Sequence, residues 1–310
     1  MKTRMARFHH FGGPDVLHIE EVEVSMPDAL QVLVSVKAAS INPVDFKIRS
    51  GKYPAVKEDR LPYTPGRDVS GIVEKCGAQA TRFAIGDEVV GIVGIAGGGY
   101  AEKAVLDEKA TARKPPQIDQ IHSAAIPLAA QTAWQGLFRY GQLKAGQSVL
   151  IHGGSGGVGH FAVQFAKAKG ARVLSTVGTE NLEFARKLGA DVVIDYKKQR
   201  FEEQAQDLDM VFDLIDGDTR ERSWKLLKKG GVLVTTLSEP SQQTASQQGV
   251  RATRYTVEAD GKELAEILSL VASGKVTPHV QKTYPLAEAV QALASVEQGH
   301  SVGKIVLTMD

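Results

Sequence analysis

Apolar residues in the first third of the chain follow the period-2 pattern of half-buried β-strands. Alternating or β-branched runs occur at Val16–Val24, Gln31–Ala38, Val69–Glu74 and Glu88–Ile92. Turn-forming residues, such as the LPYTPG segment at 61–66, separate these runs. Strands of this length and spacing predict a compact, barrel-like β domain rather than a parallel sheet.

The pattern changes near residue 122, where buried apolar runs begin to alternate with segments of helical periodicity. The predicted strands are 148–154, 171–177, 191–195, 209–216 and 232–237, and the predicted helices are 123–138, 157–170, 179–190 and 220–227. Strand–helix alternation over short links predicts a parallel sheet with helices on both faces. The predicted fold class is therefore α/β.

Residues 239–249 are polar in composition, which predicts a loop. Two helices are predicted after it, at 262–273 and 286–297, and a β-branched run predicts a closing strand at 303–309. At roughly 100–200 residues per domain, a chain of 310 residues predicts two domains, each large enough to bury a core.

The charge balance narrows the classes of partner. The chain carries 37 Lys and Arg residues against 36 Asp and Glu residues, for a formal net charge of +1. Nucleic acids and anionic membranes attract proteins through an excess of basic residues, so neither is an expected partner. The longest weakly polar stretch, at 91–101, is far shorter than the ~20 apolar residues that span a bilayer.

Cysteine usage indicates a reducing compartment. Cys76 is the single cysteine, which excludes intramolecular disulfides and sites built from two or more thiolates. The segment MKTRMARFHHFGG at 1–13 has early charge but no apolar run behind it, unlike a secretory signal. We therefore expect a cytoplasmic protein.

The strongest chemical signal is the glycine-rich segment HGGSGGVG at 152–159. The residues that fit the pattern G-x-G-x-x-G are Gly154, Ser155, Gly156, Gly157, Val158 and Gly159. The pattern follows a predicted strand and opens a predicted helix, which is the context in which it binds a dinucleotide. Gly154 permits the tight turn, Gly156 lets the backbone approach a pyrophosphate, and Gly159 lets the helix pack on the sheet. A turn without a ligand is the alternative, but one glycine would suffice for it.

The end of the next predicted strand bears on which dinucleotide binds. Folds that bind NAD place an acidic residue there, about 20 residues after the glycines, to hold the ribose 2′-hydroxyl. The strand ends at Val177, and the first carboxylate is that of Glu180, past the expected position. No side chain therefore repels a 2′-phosphate, and we expect NADPH rather than NADH. The candidate partners of this phosphate, with solvated surface residues as the alternative, are Thr176, Thr179, Tyr196 and Lys197.

Several segments, in the order of the chain, resemble the medium-chain dehydrogenase/reductase family, and in particular its zinc-independent, zeta-crystallin-like quinone oxidoreductase branch. They include AASINPVDFKIRSGKYP at 38–54, PGRDVSGIVEKCG at 65–77, IPLAAQTAW at 126–134 and GKIVL at 303–307. The resemblance implies a doubly wound Rossmann domain inserted into a GroES-like β-barrel domain. The implied bounds are 1–122 for the GroES-like catalytic domain, 123–261 for the Rossmann NADP-binding domain, and 262–310 for a return segment that completes the catalytic domain.

The resemblance also implies roles for single residues. Asn42 would direct its side-chain amide toward the nicotinamide or a substrate carbonyl oxygen, and Tyr53 would line the substrate site. Thr132 would lie close to the nicotinamide. The structural alternatives are a turn-forming Asn before proline, a half-buried Tyr and a Thr inside a helix.

Three further residues are candidates for cofactor binding. Thr236 and Leu237 lie at the end of the last predicted strand of the parallel sheet, at the carboxyl edge where ligands bind in such folds. Their backbone groups are expected to meet the nicotinamide amide. Lys304, in the closing strand, is expected to approach the cofactor phosphates, with an exposed lysine as the alternative.

The chain departs from the zinc-containing members of the superfamily. Alcohol dehydrogenases hold a catalytic zinc with a Cys, a His-Glu pair and a further Cys or His. Here Asn42 stands where the first Cys would be expected, and Arg67 and Asp68 occupy the place of the His-Glu pair. We therefore expect no zinc site. Without zinc as a Lewis acid, oxidation of a simple alcohol is not the expected reaction.

These observations predict an enzyme that reduces quinones or other α,β-unsaturated carbonyls by hydride transfer from NADPH. Asn42 and Tyr53 would stabilise the negative charge that develops on the substrate oxygen, and Tyr53 or water would supply the proton. The alternative is an NADPH-binding structural or regulatory protein with little turnover. The resemblance further implies a homo-oligomer, with a dimer expected.

Overall fold

The computed structural model describes residues 2–299 and 301–309. The chain divides into two compact units, and one of them is discontinuous in sequence. The first unit comprises Met1–Gln131, Ala259–Gly274 and Pro278–Asp310, and the second comprises Thr132–Glu258 and Lys275–Thr277. No helix in the described part of the chain is long and apolar enough to cross a membrane.

The first unit is built mainly of antiparallel strands. Its strands are β1 (Lys2–Arg7), β2 (His18–Glu23), β3 (Gln31–Ser40), β4 (Asp68–Cys76), β5 (Glu88–Ile92), β6 (Lys103–Asp107), β7 (Thr111–Arg113), β14 (Val280–Pro285) and β15 (Lys304–Thr308). Its helices are α1 (Pro43–Arg49), α2 (Gln120–Ala124), α8 (Gly261–Ala272) and α9 (Ala289–Glu297). Helix α3 (Pro127–Trp134) begins in this unit.

Strand β15 joins the distant parts of the first unit. The main sheet has the order β14-β15-β3-β4-β5-β7, and β6 also pairs with β3. Strand β15 runs antiparallel to β3, with Val306 opposite Ser40. Apolar side chains from β3, β4 and β15, among them Val34, Val69 and Leu307, are fully buried in one core cluster. The predicted β domain is thereby confirmed.

The second unit contains a parallel sheet. Its strands are β8 (Ser148–His152), β9 (Arg172–Val177), β10 (Val192–Asp195), β11 (Leu208–Asp213), β12 (Leu227–Thr235) and β13 (Arg251–Arg254). Its helices are α4 (Gly159–Ala168), α5 (Leu182–Lys187), α6 (Gly217–Ser223) and α7 (Gln242–Gln248). The strand order is β10-β9-β8-β11-β12-β13, and the pairings are parallel. The order reverses between β8 and β11, which is the switch point where such sheets bind ligands.

Two predicted elements differ from the structure. Residues 239–249 are not a loop, because Ser241 caps the amino end of α7 through Thr244 and Gly249 ends the helix in the left-handed region. Ala245 is the one buried residue of α7, so the hydrophobic pattern gave no helical signal. The single helix predicted at 123–138 is divided at Pro127, whose ring removes the backbone donor that a continuous helix needs.

The unit boundaries also differ from the expected domain bounds. The first unit extends to Gln131 rather than to residue 122. Helix α2 packs on β3 and β4, and the N–H of Leu128 in α3 donates to Asp68 of β4, which ties the segment after residue 122 to the first unit. The second boundary lies at Glu258, near the expected 261, and the short segment Lys275–Thr277 of the expected return segment belongs to the second unit.

Candidate active site

The glycine-rich turn connects β8 to α4 at the switch point of the parallel sheet. The backbone N–H groups of Gly153 and Gly154 both donate to the carbonyl oxygen of Thr176, at 3.1 Å, which ties the turn to β9. A Cβ atom at Gly154 would lie 1.9 Å from the Oγ atom of Ser175, and one at Gly159 would lie 2.1 Å from the carbonyl oxygen of Gly153. Both positions therefore require glycine for packing within the protein.

Gly156 differs from these two glycines. A Cβ atom there would meet only the carbonyl oxygen of Gly153, at 3.4 Å, which is an ordinary contact. The protein itself therefore does not require glycine at this position. A ligand that lies against the turn would require it.

The turn also presents backbone donors. Within the described residues, the N–H groups of Ser155, Gly157, Val158 and Gly159 have no hydrogen-bond acceptor. No side chain of the described residues caps α4, whose amino end carries the positive end of the helix dipole. Free N–H groups at a helix amino end form a ready site for an anion such as a pyrophosphate.

Thr176 is placed differently from the prediction that it binds the 2′-phosphate. It is 3% exposed, and its Oγ1 atom lies 3.0 Å from Nδ1 of His152 and accepts from the N–H of Gly153. The Nε2 atom of His152 lies 2.9 Å from the Oγ atom of Ser223. Burial lowers the pKa of His152 to about 3, so this imidazole is neutral and acts as a structural link behind the turn.

His152 was missed as a positioning residue in the sequence analysis. The available signal was its place between a buried strand and the first glycine, where a titratable side chain needs polar partners.

The carboxyl ends of β9 and β10 bring the other candidates for the 2′-phosphate together. Val177 is buried and opposite Asp195, whose Oδ2 atom accepts a 2.7 Å hydrogen bond from the Thr179 hydroxyl. Tyr196 is 59% exposed beside them. The Nζ atom of Lys197 forms an ion pair with Glu180, at 3.0 Å. Lys197 is the one basic residue among these candidates, and it is paired with an acidic residue at the same edge of the sheet.

The remaining candidates of the second unit lie on two segments. Thr132 is buried in α3, and its carbonyl oxygen accepts a hydrogen bond from the Tyr255 hydroxyl. Thr236 and Leu237 are half-buried directly after β12, as predicted for its carboxyl end. The N–H of Leu237 donates to Oγ1 of Thr235. Direct cofactor contacts by these residues stay predictions.

The first unit contains a buried polar network around Asp68. Its Oδ2 atom accepts 2.7 Å hydrogen bonds from the Ser40 hydroxyl and from Nδ2 of Asn42, and its Oδ1 atom accepts from the N–H of Leu128. The Nζ atom of Lys304 lies 3.7 Å from Oδ2 and 2.6 Å from Oδ1 of Asn42. Asn42 and Lys304 are each 3% exposed.

Lys304 is buried in this network rather than exposed, and its predicted contact with the cofactor phosphates stays a prediction. Its Nζ atom lies among the Ile41 carbonyl oxygen, Asn42 and Asp68. Burial lowers the pKa of Lys304, while the charges of Asp68 and Asp45 oppose this shift. Two hydrogen bonds and the nearby charge of Asp68 offset the cost of burying this ammonium group.

A second buried carboxylate, Asp45, adjoins this network. It accepts hydrogen bonds from the Tyr100 hydroxyl, from the N–H of Asn42 and from the N–H of Gly66, at 2.7, 2.8 and 3.1 Å. Burial raises the pKa of Asp45 to about 6, with a further increase from the charge of Asp68, although the three hydrogen bonds lower it. Asn42 is the N-cap of α1 and Asp45 is its third residue, so the hydrogen bond between them is a capping interaction. The Asn-Pro-x-Asp sequence could therefore have predicted this hydrogen bond.

Tyr53, the other predicted catalytic residue, is half-buried against the core of the first unit. Its hydroxyl has no hydrogen-bond partner among the residues that the structure describes. A phenol in this state retains its capacity to donate.

Two segments of the chain match known families. Residues 28–116 match the alcohol dehydrogenase GroES-like domain, and residues 188–307 match a family described as zinc-binding dehydrogenase. The 2-methylene-furan-3-one reductase of Solanum lycopersicum is 36% identical over 310 residues, which cover 96% of this chain and 76% of that protein. The chloroplastic NADPH-dependent alkenal/one oxidoreductase of Arabidopsis thaliana is 37% identical and covers 97% of this chain and 78% of its own length.

The chain belongs to the zinc-independent quinone oxidoreductase branch of the medium-chain dehydrogenase/reductase family. Solved structures of this branch agree in fold. The quinone oxidoreductase of Coxiella burnetii is 32% identical, has a TM-score of 0.95 and covers 100% of both chains. The Escherichia coli quinone oxidoreductase, solved with NADPH, is 30% identical, has a TM-score of 0.89 and covers 98% of this chain and 99% of its own.

The residues present do not fit the zinc that one family description implies. Among the described residues, no group of three or more His, Cys, Asp or Glu side chains is placed to hold a metal ion. At the positions that resemble zinc ligands, the Asn42 amide oxygen already accepts from the Lys304 ammonium, and Arg67 donates to the carbonyl oxygen of Val93. Cationic donors at these positions disfavour a second cation.

Replacing Gly159 by alanine tests the packing of the turn. We expect Gly159→Ala to destabilise the protein by about 1–3 kcal/mol, because the new methyl group overlaps the Gly153 carbonyl oxygen. Gly156→Ala is the matched control, and its thermal midpoint should stay close to that of the wild type. Equal midpoints for the wild type and Gly159→Ala would show that the turn tolerates a side chain at this position.

The raised pKa of Asp45 predicts a pH dependence of stability. Because the pKa is about 6 in the folded state and 3.8 ordinarily, the folded state binds the proton more tightly. This contribution to stability is complete below about pH 4 and is lost as the pH rises through 6, by about 3 kcal/mol in all. Urea unfolding between pH 4 and 7 should show the loss in the wild type relative to Asp45→Asn. A constant difference between the two proteins would contradict the assignment.

Proposed function

We propose that this protein is an NADPH-dependent, zinc-independent oxidoreductase that reduces quinones or other α,β-unsaturated carbonyls by hydride transfer. The observation that carries the proposal is the turn at 153–159, where four backbone N–H groups have no acceptor among the described residues and can bind an anion. Relatives that span nearly the whole chain are named as an alkenal/one oxidoreductase and as quinone oxidoreductases, which supports the substrate class.

The second unit fits the dinucleotide. The free N–H groups and the amino end of α4 suit the pyrophosphate, and the space at Gly156 suits its close approach. Lys197 supplies a cation for the 2′-phosphate at the carboxyl ends of β9 and β10. When bound, NADPH supplies the hydride.

The first unit supplies the groups that act on the substrate. When hydride adds to the β-carbon of an enone, negative charge develops on the carbonyl oxygen, and an N–H of Asn42 stabilises it. The hydroxyl of Tyr53, which has no partner among the described residues, or water delivers the proton that completes the reduction. Quinones accept hydride in the same way, with charge on an oxygen conjugated to the reacting position.

We further propose that the protein is cytoplasmic and forms a homodimer. The lone cysteine, half-buried and unpaired, is consistent with a reducing compartment. Light scattering of the purified protein tests the dimer, and a monomer mass would reject it.

Steady-state kinetics with quinones, enones and simple alcohols test the proposed reaction. We expect NADPH oxidation with quinones and enones, and negligible oxidation of simple alcohols with NADP. Asn42→Ala should lower kcat about a hundredfold, because it removes a donor to the developing oxyanion. Its Kd for NADPH should stay within a few-fold.

The competing outcomes are distinct. NADPH binding without turnover of any acceptor would indicate a structural or regulatory protein instead. Robust alcohol oxidation would reject the reaction type, and an unchanged rate in Asn42→Ala would remove this residue from it.

The ion pair of Lys197 and Glu180 predicts how the cofactors are distinguished. Lys197→Met should weaken NADPH binding about tenfold or more, because a charge-assisted hydrogen bond contributes about 1.5–3 kcal/mol. Glu180→Gln should tighten NADPH binding, since it releases Lys197 from its competing carboxylate. Fluorescence titration with NADH is the control, and its Kd should not change in Lys197→Met. Tighter binding of NADH than of NADPH by the wild type would overturn the preference.

A further inference from the structure

Lys304 is a buried cation to which the proposed reaction gives no role so far. It begins β15, is 3% exposed, and directs its Nζ atom to three oxygen atoms. Two are hydrogen-bond acceptors, the Ile41 carbonyl oxygen at 2.8 Å and Oδ1 of Asn42 at 2.6 Å. The third is Oδ2 of Asp68, at 3.7 Å. Burial of an ammonium group is costly, so this arrangement needs a reason.

The network determines which way the Asn42 amide faces. A lysine ammonium can only donate and an ionised carboxylate can only accept, so Oδ1 must face Lys304 and Nδ2 must face Asp68. One hydrogen of Nδ2 is used in the 2.7 Å bond to Asp68. Among the described residues, the other has only the Ser40 carbonyl oxygen, at 3.5 Å, which is at the limit of a hydrogen bond. This second hydrogen is available to an incoming acceptor.

The positive charge of Lys304 also makes the Nδ2 group of Asn42 a stronger hydrogen-bond donor. A cation that donates to an amide oxygen withdraws electron density from the amide, and its N–H groups then bind acceptors more strongly. The effect is largest in a dry environment, where water does not screen the charge.

We propose that Lys304 is a positioning residue for reduction: it fixes and polarises the Asn42 amide so that the second N–H of Nδ2 binds the substrate oxygen on which negative charge develops. This inference rests on the proposed function. Lys304 thereby provides a buried positive charge beside the acceptor group, at a place where the residues do not fit a metal ion. A purely structural role, in which Lys304 only joins β15 to the segment before α1, is the competing explanation.

Three variants separate these explanations. Lys304→Gln keeps a neutral donor and removes the charge. Ser40→Ala is the matched control, because it removes another 2.7 Å hydrogen bond to the same Oδ2 atom of Asp68 without touching the Asn42 side chain. The double variant Lys304→Gln/Asp68→Asn removes both charges of the buried pair, so that neither charge is left buried without its partner. Thermal unfolding establishes that each variant is folded.

Two readouts are needed. The first is the side-chain amide signal of Asn42 in 1H–15N NMR spectra, assigned by its absence in Asn42→Ala. We expect its protons to move upfield in Lys304→Gln and in the double variant, and to stay near their wild-type position in Ser40→Ala. The second is enone reduction, for which kcat should fall about tenfold or more in both charge-removing variants, while Ser40→Ala stays within about twofold. The Kd for NADPH should not change.

The outcomes decide between the explanations. An unmoved Asn42 signal, or a normal kcat in a folded variant without the Lys304 charge, would overturn the proposal. Equal losses of kcat in Ser40→Ala and Lys304→Gln would assign Lys304 a structural role only, which also overturns it. Failure of the proposed function is distinguishable, because a wild-type protein that binds NADPH and reduces no acceptor would be seen before any variant is compared.

Discussion

The desolvation of Asp68 is the constraint on which the first unit depends. A carboxylate with no exposed surface must replace its lost hydration with fixed donors. Ser40 at the end of β3, Asn42 before α1, Leu128 in α3 and Lys304 in β15 together do so. The ends of four elements must therefore meet at one carboxylate, and the position of the candidate catalytic amide follows from that requirement.

The second unit differs from the first in how its polar groups are hydrogen-bonded. In the part of the chain that the structure describes, its turn at 153–159 leaves backbone donors without acceptors, and no side chain caps α4. The glycines at 154 and 159 are required for packing, while Gly156 leaves space. Glycine packing therefore places a set of backbone donors that are free to bind an anion, as expected for a preorganised binding site.

Sequence patterns predicted the parts of this protein that depend on local periodicity. Strand β5 was predicted with its observed bounds, and the glycine turn was recognised because it lies between a strand and a helix. Helix α7 was missed because its stability comes from the Ser241 cap rather than from an apolar face. Strands β1 and β14 were also missed, because half-exposed strands carry a weak signal.

The candidate site was harder to predict, because its contacts are distant in sequence. Nothing local indicated that Lys304 would be buried against Asn42, or that the Thr176 hydroxyl would lie within hydrogen-bond distance of His152. Asp45 had a local signal in its spacing from Asn42, but the Tyr100 hydroxyl that completes its environment comes from another segment. The tertiary fold decides which buried charges lie next to each other, and the hydrophobic periodicity of the sequence does not contain this information.

The 262-residue separation of Asn42 and Lys304 has a consequence for biosynthesis. At the usual rates of translation, of about 5–20 residues per second, Asp68 leaves the ribosome tens of seconds before its buried cation is made. The second unit, which is nearly continuous from Thr132 to Glu258, can fold during that interval. The first unit cannot add β15 to its sheet until later. The nascent chain would thus carry a finished nucleotide-binding unit while the unit that holds the candidate catalytic amide is still open, and the Asp68 carboxylate would stay hydrated until synthesis reaches Lys304.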